Sequence, residues 1–352
     1  MEIRMKKVHI GSVLATAASS VAVLVAAPAQ AGDELITIYK DVPTLDRWMY
    51  PFNQTPGYRP GGSLFGYWST NPADGFDNRD AQIVLGFSVT EDISPEELEG
   101  MEVVSATVTI QISNDSIFYD DTVDDWRCFL DPEDADYVPD EDINQPMELT
   151  GVGYRSGFTN TTWPEEAPFA FGNPAGVGVR SAYAMVYRDG VATDCSNSLR
   201  EEWNPEPFAV GLIDGLTPGD PVPVDSTFTF NVNVEDENIQ GYVMEQLEEG
   251  RVSFCLNSMK QAFQDGGNFP IFYLKENAAV EFGVASAATL EIVLGPETSG
   301  NSCDLDGDGT VGGADLTMLL GGWGSSNPDL DLTGDGIVGG ADLTVLLGCW
   351  GS

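Results

Sequence analysis

The last fifty residues contain a duplication with a 27-residue period, and both copies must fold alike in very little chain. One copy runs Asp304-Leu-Asp-Gly-Asp-Gly-Thr-Val-Gly-Gly-Ala-Asp-Leu-Thr-Met-Leu-Leu-Gly-Gly-Trp-Gly, the other Asp331-Leu-Thr-Gly-Asp-Gly-Ile-Val-Gly-Gly-Ala-Asp-Leu-Thr-Val-Leu-Leu-Gly-Cys-Trp-Gly. Each opens on a twelve-residue loop, 304–315 or 331–342, with carboxylates at positions 1, 5 and 12 and glycine at 6. Hard Ca²⁺ takes six to eight oxygens, and a loop of this form wraps side chains and one backbone carbonyl around it. The expected ligands are Asp304, Asp306, Asp308, Asp315 and the Thr310 carbonyl in the first loop. In the second they are Asp331, Thr333, Asp335, Asp342 and the Ile337 carbonyl. Two Ca²⁺ sites are therefore expected, with Gly309 and Gly336 at the sharp turns.

Position 12 is Asp where a general EF-hand has bidentate Glu, and position 9 is Gly312 or Gly339, so water must supply part of the shell. Thr333 replaces an acid, which predicts weaker binding in the second loop. After each loop Leu316, Leu319 and Leu320, and likewise Leu343, Leu346 and Leu347, recur at i, i+3 and i+4. That spacing gives one apolar stripe per helix, so the two helices can bury against each other. Trp323 and Trp350 are expected to cap this small core, and a Cys303–Cys349 disulfide to close its ends.

The repeats resemble type I dockerins, in which a duplicated loop-plus-helix lacks the first helix of a full EF-hand. The resemblance covers 303–352. The Val-Gly-Gly-Ala-Asp-Leu variant with trailing Leu-Leu-Gly-x-Trp-Gly is similar to C-terminal repeats of secreted proteins from planctomycete-like bacteria. It implies a calcium-dependent, all-α module that docks a cohesin-like or other extracellular protein, with near-identical copies approachable in two equivalent orientations. Cellulosomal dockerins often carry hydroxylic residues at loop positions 10 and 11. Gly313-Ala314 and Gly340-Ala341 depart from that pattern, which bears on cohesin binding and leaves the calcium ligands intact.

The other end of the chain reads as a signal peptide. Arg4, Lys6 and Lys7 precede an apolar stretch from Val8 to Ala27 and an Ala29-Gln30-Ala31 site, so 1–31 is expected to be cleaved and the protein secreted, with no membrane span remaining. The whole chain has 56 Asp+Glu against 15 Lys+Arg, a formal charge of −41, and export would take this to −43. Such a surface repels phosphate, which excludes nucleic acid as a partner. With hydrophobic residues at 42%, a core can still be buried. His9, the single histidine, lies in the leader. Ser-His-Asp and Cys-His catalysis and His-ligated zinc, copper or iron are thereby excluded from the exported chain.

Residues 32–296 alternate short apolar runs with Gly, Pro, Asn and Asp clusters. Strands are expected at 35–40, 81–89, 103–113, 182–188, 208–213, 227–234, 251–257, 270–275 and 289–294, with one helix at 239–249. Ala106, Val108, Ile110 and Ile112 share one face of their strand, and Thr107, Thr109 and Gln111 the other. These elements predict a mainly β fold, a jelly-roll-like antiparallel β-sandwich, joined by a linker at 297–302 to the small all-α module. The stretch Leu-Gly-Phe followed by Val-Val-Ser-Ala-Thr-Val-Thr-Ile, then the 242–256 helix-strand and Ala-Thr-Leu-Glu-Ile, resembles DNRLRE-type carbohydrate-binding sandwiches and implies the same activity.

Between Asp115 and Asp142 twelve of 28 residues are acidic, with Arg127 the only cation. The segment reads as a solvated surface insertion; its functional alternative is a further calcium site or a lid, although its spacing matches no known metal loop. Cys128 and Cys195 could pair, leaving Cys255 as a buried thiol.

Three functions are compatible with these features. The first is noncatalytic polysaccharide binding, with sugar platforms among Trp48, Tyr50, Tyr58, Tyr67, Trp68, Trp126, Trp163 and Trp203, those from Tyr50 to Trp68 being the most exposed. The second is a glycoside hydrolase in polysaccharide catabolism, using a carboxylate pair such as strand-borne Glu281 and Glu291. The third is a structural cell-surface protein. No spacing in the sequence singles out a catalytic residue.

Overall fold

The computed structural model describes residues 35–115, 117–140, 142, 144–171, 176–261, 268–296, 303–306 and 310–351. The expected signal peptide (1–31) and linker (297–302), together with Asp308 and Gly309, lie outside them.

In chain order the strands are β1 (Ile36–Lys40), β2 (Leu45–Met49), β3 (Gly61–Ser63), β4 (Gln82–Ser88), β5 (Met101–Gln111), β6 (Glu148–Tyr154), β7 (Ala182–Arg188), β8 (Val191–Asp194), β9 (Ala209–Val210), β10 (Thr227–Asn231), β11 (Arg251–Asn257), β12 (Ile271–Tyr273) and β13 (Thr289–Pro296). They form a four-stranded sheet in the order β1-β13-β5-β10, a seven-stranded sheet in the order β2-β4-β11-β6-β7-β8 with β9 on β6, and the pair β12-β3. Every strand pairing is antiparallel. The fold is mainly β, as the sequence predicts.

One core lies between the two larger sheets. Val108, Ile110, Phe228, Phe230, Leu290 and Ile292 enter it from the four-stranded sheet, and Ile83, Leu85, Phe87, Phe254 and Leu256 from the seven-stranded one. The seven-stranded sheet is buried on its second face as well. Val84, Val152, Ala184 and Cys255 belong to another apolar cluster, which includes fully buried Trp163 and buried Trp203. Burial on both faces explains why β4 and β11 read as continuous apolar runs while β5 alternates.

Helix α1 (Glu237–Glu248) starts where Asp236 accepts the N–H groups of Asn238 and Ile239, at 2.9 and 3.1 Å. It ends at Gly250, whose φ of +83° suits glycine. Ile239, Tyr242, Val243 and Leu247 form its buried face. The Tyr242 hydroxyl donates to the Ser253 carbonyl at 2.7 Å and accepts the Val152 N–H at 3.0 Å, locking the helix to β11 and β6.

Three further strands carry no strand pattern in the sequence, for clear physical reasons. β6 looks like a turn because it carries Gly151 and Gly153. A Cβ at Gly153 would lie 2.2 Å from the Tyr183 ring, so this close approach of β6 and β7 requires glycine. β2 contains Asp46 and Arg47, both buried, and β3 is mostly glycine. A second short helix, α2 (Ala278–Glu281), was also missed.

Two ion pairs lie inside the fold. Arg79 grips Glu148 on β6 through Nε at 2.7 Å and Nη2 at 2.9 Å, while its Nη1 donates to the Cys195 carbonyl and to Ser198 Oγ. Arg180 Nε meets Asp77 at 2.7 Å, and Asp77 also accepts from the Gly178 N–H and Asn197. Arg79→Ala would leave the Glu148 charge buried and unpaired, so it should cost about 3–5 kcal/mol. A urea unfolding midpoint little changed from the unaltered chain would contradict this.

Candidate functional site

The C-terminal loops lead into helices α3 (Gly313–Gly321) and α4 (Gly340–Gly348). Their N-cap residues, Gly312 and Gly339, have no capping side chain, and the position-12 aspartates reach back instead. Asp315 accepts the Gly312 N–H at 2.6 Å and those of Leu305 and Asp306 at 2.8 and 3.1 Å. Asp342 accepts the Gly339 N–H at 2.6 Å, the Thr333 N–H at 3.0 Å and the Thr333 hydroxyl at 2.9 Å. Both side chains are buried, and their pKa values are lowered chiefly by the Gly312 and Gly339 N–H groups respectively.

Carboxylate oxygens of Asp304, Asp306 and Asp315 lie within 4.8 Å of one another, a separation that one cation can bridge. Thr310 follows at position 7; Asp308 is outside the described residues. In the second loop the donors turn onto their own backbone. Asp331 accepts the Gly336 N–H at 2.7 Å and the Asp335 N–H at 3.2 Å, and Asp335 accepts that of Ile337 at 3.0 Å. Gly336 takes the expected left-handed turn with φ +90°. Among the described residues no acidic trio as close as the first forms there.

The two copies exchange equivalent hydrogen bonds. Gly324 N–H donates to the Val338 carbonyl at 2.8 Å, and Gly351 N–H donates to that of Val311 at 3.0 Å. Residues one period apart thus play the same part, giving a local pseudo-two-fold. Between them lie Val311, Leu319, Leu330, Val338 and Leu346, and the expected disulfide joins Cys303 to Cys349.

The tryptophans are a correction. Trp323 is 49% exposed and Trp350 48%, so they do not cap this core. Leu320 and Leu347, expected in the buried stripe, are exposed beside Met318. Only Leu319 and Leu346 are fully buried, because helices of nine residues present one turn to each other. A Cβ at Gly313, Gly340, Gly321 or Gly348 would meet nothing within 4 Å, so these positions border open surface.

The acidic insertion joins β5 to β6 and is better packed than a solvated loop. Its start is pinned by backbone hydrogen bonds from Tyr119 to Asp220 at 2.7 Å and from Val222 to Ile117 at 3.0 Å. Trp126 N–H donates to Asn204 at 2.7 Å, and Phe129 sits edge-on against Trp68. Asp120 is buried and Asp124 half-buried, and desolvation raises their pKa values to about 6 and about 9. Cys128 and Cys195 do not pair: both are free, as is Cys255. Cys195 is fully buried in the second apolar cluster, whereas Cys128 is in the insertion's short 3₁₀ turn.

The outer face of the four-stranded sheet is an ordered polar grid. Strand register sets Tyr39, Glu291, Thr107 and Asn231 in one row, with Thr289, Thr109 and Thr229 in the next. Thr109 and Thr289 hydroxyls meet at 2.7 Å, and Thr107 donates to Asn231 at 3.3 Å. Thr107, Thr109, Gln111, Thr227, Ser286, Thr289 and Glu291 line a groove of about 350 Å³, flanked by the 56%-exposed Tyr39 ring. Alternation along β5 shows half of this face in the sequence; which strands lie beside it depends on long-range pairing.

Of the aromatic residues expected as sugar platforms, Trp163 and Trp203 are buried, and Trp48, Tyr50, Tyr67, Trp68 and Trp126 are partly covered. Trp48 and Trp68 are tied down by indole N–H bonds to Ser63 and Met259 carbonyls at 2.8 and 2.7 Å. Tyr58 is exposed. Glu281 is on helix α2 and not on a strand, and both it and Glu291 are solvent-exposed, without the burial that prepares a general acid.

No described helix is long and apolar enough to cross a membrane. Asp315→Ala would orphan three backbone donors, so the amides of Leu305, Asp306 and Gly312 should exchange with solvent about tenfold faster or more. Unchanged exchange would mean that Asp315 does not organise the loop. Comparison with protein-family models, curated proteins and solved structures gives no match to the chain.

Proposed function

We propose that this is a secreted, noncatalytic polysaccharide-binding β-sandwich of jelly-roll type, tethered to other extracellular proteins through a dockerin-like pair of calcium loops. The polar grid on the outer sheet face carries the reading. Sugars offer dense hydroxyl groups and apolar C–H faces. A row of Thr, Gln, Asn and Glu side chains can exchange hydrogen bonds with the hydroxyls, while the exposed Tyr39 ring can stack on a pyranose.

Calcium suits the C-terminal loops by donor chemistry. Asp304, Asp306 and Asp315 supply hard oxygens in the first, with Asp308 and the Thr310 carbonyl completing the expected set. Asp331, Thr333, Asp335, Asp342 and the Ile337 carbonyl form the second set. The ion would neutralise clustered acids and brace each loop against its helix. Exposed Leu320, Trp323, Leu347 and Trp350, one period apart in pairs, then offer a partner two equivalent apolar surfaces.

Two measurements test the proposal. Electrophoresis through gels containing individual polysaccharides should show retardation, and Tyr39→Ala should weaken binding about fivefold, the equivalent of ~1 kcal/mol for a stacked ring. Loss with Tyr58→Ala in place of Tyr39→Ala would move the site to the 50–60 segment, and no retention on any glycan would end the binding proposal. Separately, chelation should reduce helical circular dichroism and open 303–351 to protease; an unchanged pattern would remove calcium from the reading.

A further inference from the structure

We propose that the acidic insertion holds a hard divalent cation, Ca²⁺ in an extracellular setting, on Asp120, Asp124 and Asp142. This site is separate from the C-terminal loops and from the polysaccharide reading. Carboxylate oxygens of the three residues lie within 4.8 Å of one another. Asp120 Oδ2, Asp124 Oδ2 and Asp142 Oδ1 are buried and meet no hydrogen-bond donor among the described residues. The Asp120 residue is only 2% exposed.

The other oxygens of Asp120 and Asp142 are partnered in an ordered way. Asp120 Oδ1 accepts the Thr122 N–H at 2.9 Å and its hydroxyl at 3.0 Å, and the same hydroxyl is 2.6 Å from Asp142 Oδ2. Thr122 thereby engages one oxygen of Asp120 and one of Asp142, while the second oxygen of each has no donor among the described residues. A buried carboxylate oxygen with no donor is strongly unfavourable, and three together add mutual repulsion. A bound cation removes both costs.

The nearby cations are committed elsewhere. Arg127 holds Asp125 through Nε at 2.9 Å and Nη2 at 2.7 Å, and Arg79 holds Glu148. A contrasting trio, Asp46, Glu165 and Glu276, has the same closeness but surrounds the Lys275 ammonium, at 3.1 Å from Asp46 and 2.9 Å from Glu276. There the protein supplies its own cation; among the described residues no Lys or Arg pairs with Asp120, Asp124 or Asp142. An all-oxygen donor set selects Ca²⁺ over softer metals. Because Asp120 and Asp142 sit near opposite ends of the insertion, one ion would close it.

Equilibrium dialysis of the full chain against Ca²⁺ tests this. The unaltered protein should bind one more ion per molecule than Asp120→Asn or Asp142→Asn. The same difference should persist in a chain that also carries Asp304→Asn and Asp331→Asn, which separates this site from the C-terminal loops. Calcium should also slow tryptic cleavage after Arg127 about fivefold or more in the unaltered chain and leave the rate unchanged in Asp142→Asn. If Asp120→Asn fails to fold, Asp142→Asn at the half-buried position decides. Equal calcium stoichiometry in the unaltered chain and Asp142→Asn, with no calcium effect on cleavage at Arg127, overturns the proposal.

Discussion

Buried arginines hold together the side of this protein where the chain is least regular. Arg47, Arg79 and Arg180 are almost wholly inside, and each satisfies carbonyls or carboxylates brought from distant segments. Arg47 Nη1 reaches the carbonyls of Glu165 and Ala167 at 2.8 and 2.6 Å, tying β2 to the 155–170 loops. Arg79 joins the segment before β4 to β6 and to the 195–198 turn. Arg180 joins the segment before β7 to Asp77 and to the Asp80 carbonyl. A planar guanidinium with five donors suits this work, since one side chain can satisfy several acceptors that would otherwise be buried without partners.

That use of arginine has a consequence for the surface. Cations are few, and the ones within the fold already have internal partners: Arg155 with Asp194, Lys275 with its three acids, Lys40 with Asp92. Most of the acidic excess therefore faces solvent or its own kind. Where acids are far apart, water and salt screen them. Backbone geometry crowds them at Asp304, Asp306 and Asp315 and at Asp120, Asp124 and Asp142, the arrangements on which the proposed cation sites rest. The proposed metal sites thus follow from one imbalance, although the two C-terminal ones belong to a repeated motif and the third does not.

The parts legible in the sequence were local ones. Nine strands were located by alternation or apolar runs, α1 by its stripe and its terminal glycine, and the two C-terminal loop-helix repeats by repeated spacing. The missed strands failed for physical reasons. β6 needs glycine because Tyr183 and Met185 crowd it, and β2 carries charges whose partners lie more than a hundred residues away. The acidic insertion misled in the same manner: its composition is that of a solvated loop, yet Asp120 is buried and its neighbours Ile117 and Tyr119 are bonded to 219–222, which no local pattern reveals. The exposed tryptophans of the repeats were misplaced because a nine-residue helix offers too short a stripe to bury everything at i, i+3 and i+4.

Sequence by itself determined the antiparallel β character, the absence of histidine outside the first 31 residues, the strong negative charge and the paired loop-helix repeats, because each depends on residue type at short spacing. Tertiary structure decided which aromatics are buried, which threonines line one groove, which cysteines bond and which three aspartates meet. Those outcomes rest on strand register and on contacts between residues far apart in the chain. A one-residue slip in register would turn Tyr39 and Glu291 from the solvent face into the core, so the proposed sugar-binding surface exists only through pairing that the local sequence does not encode.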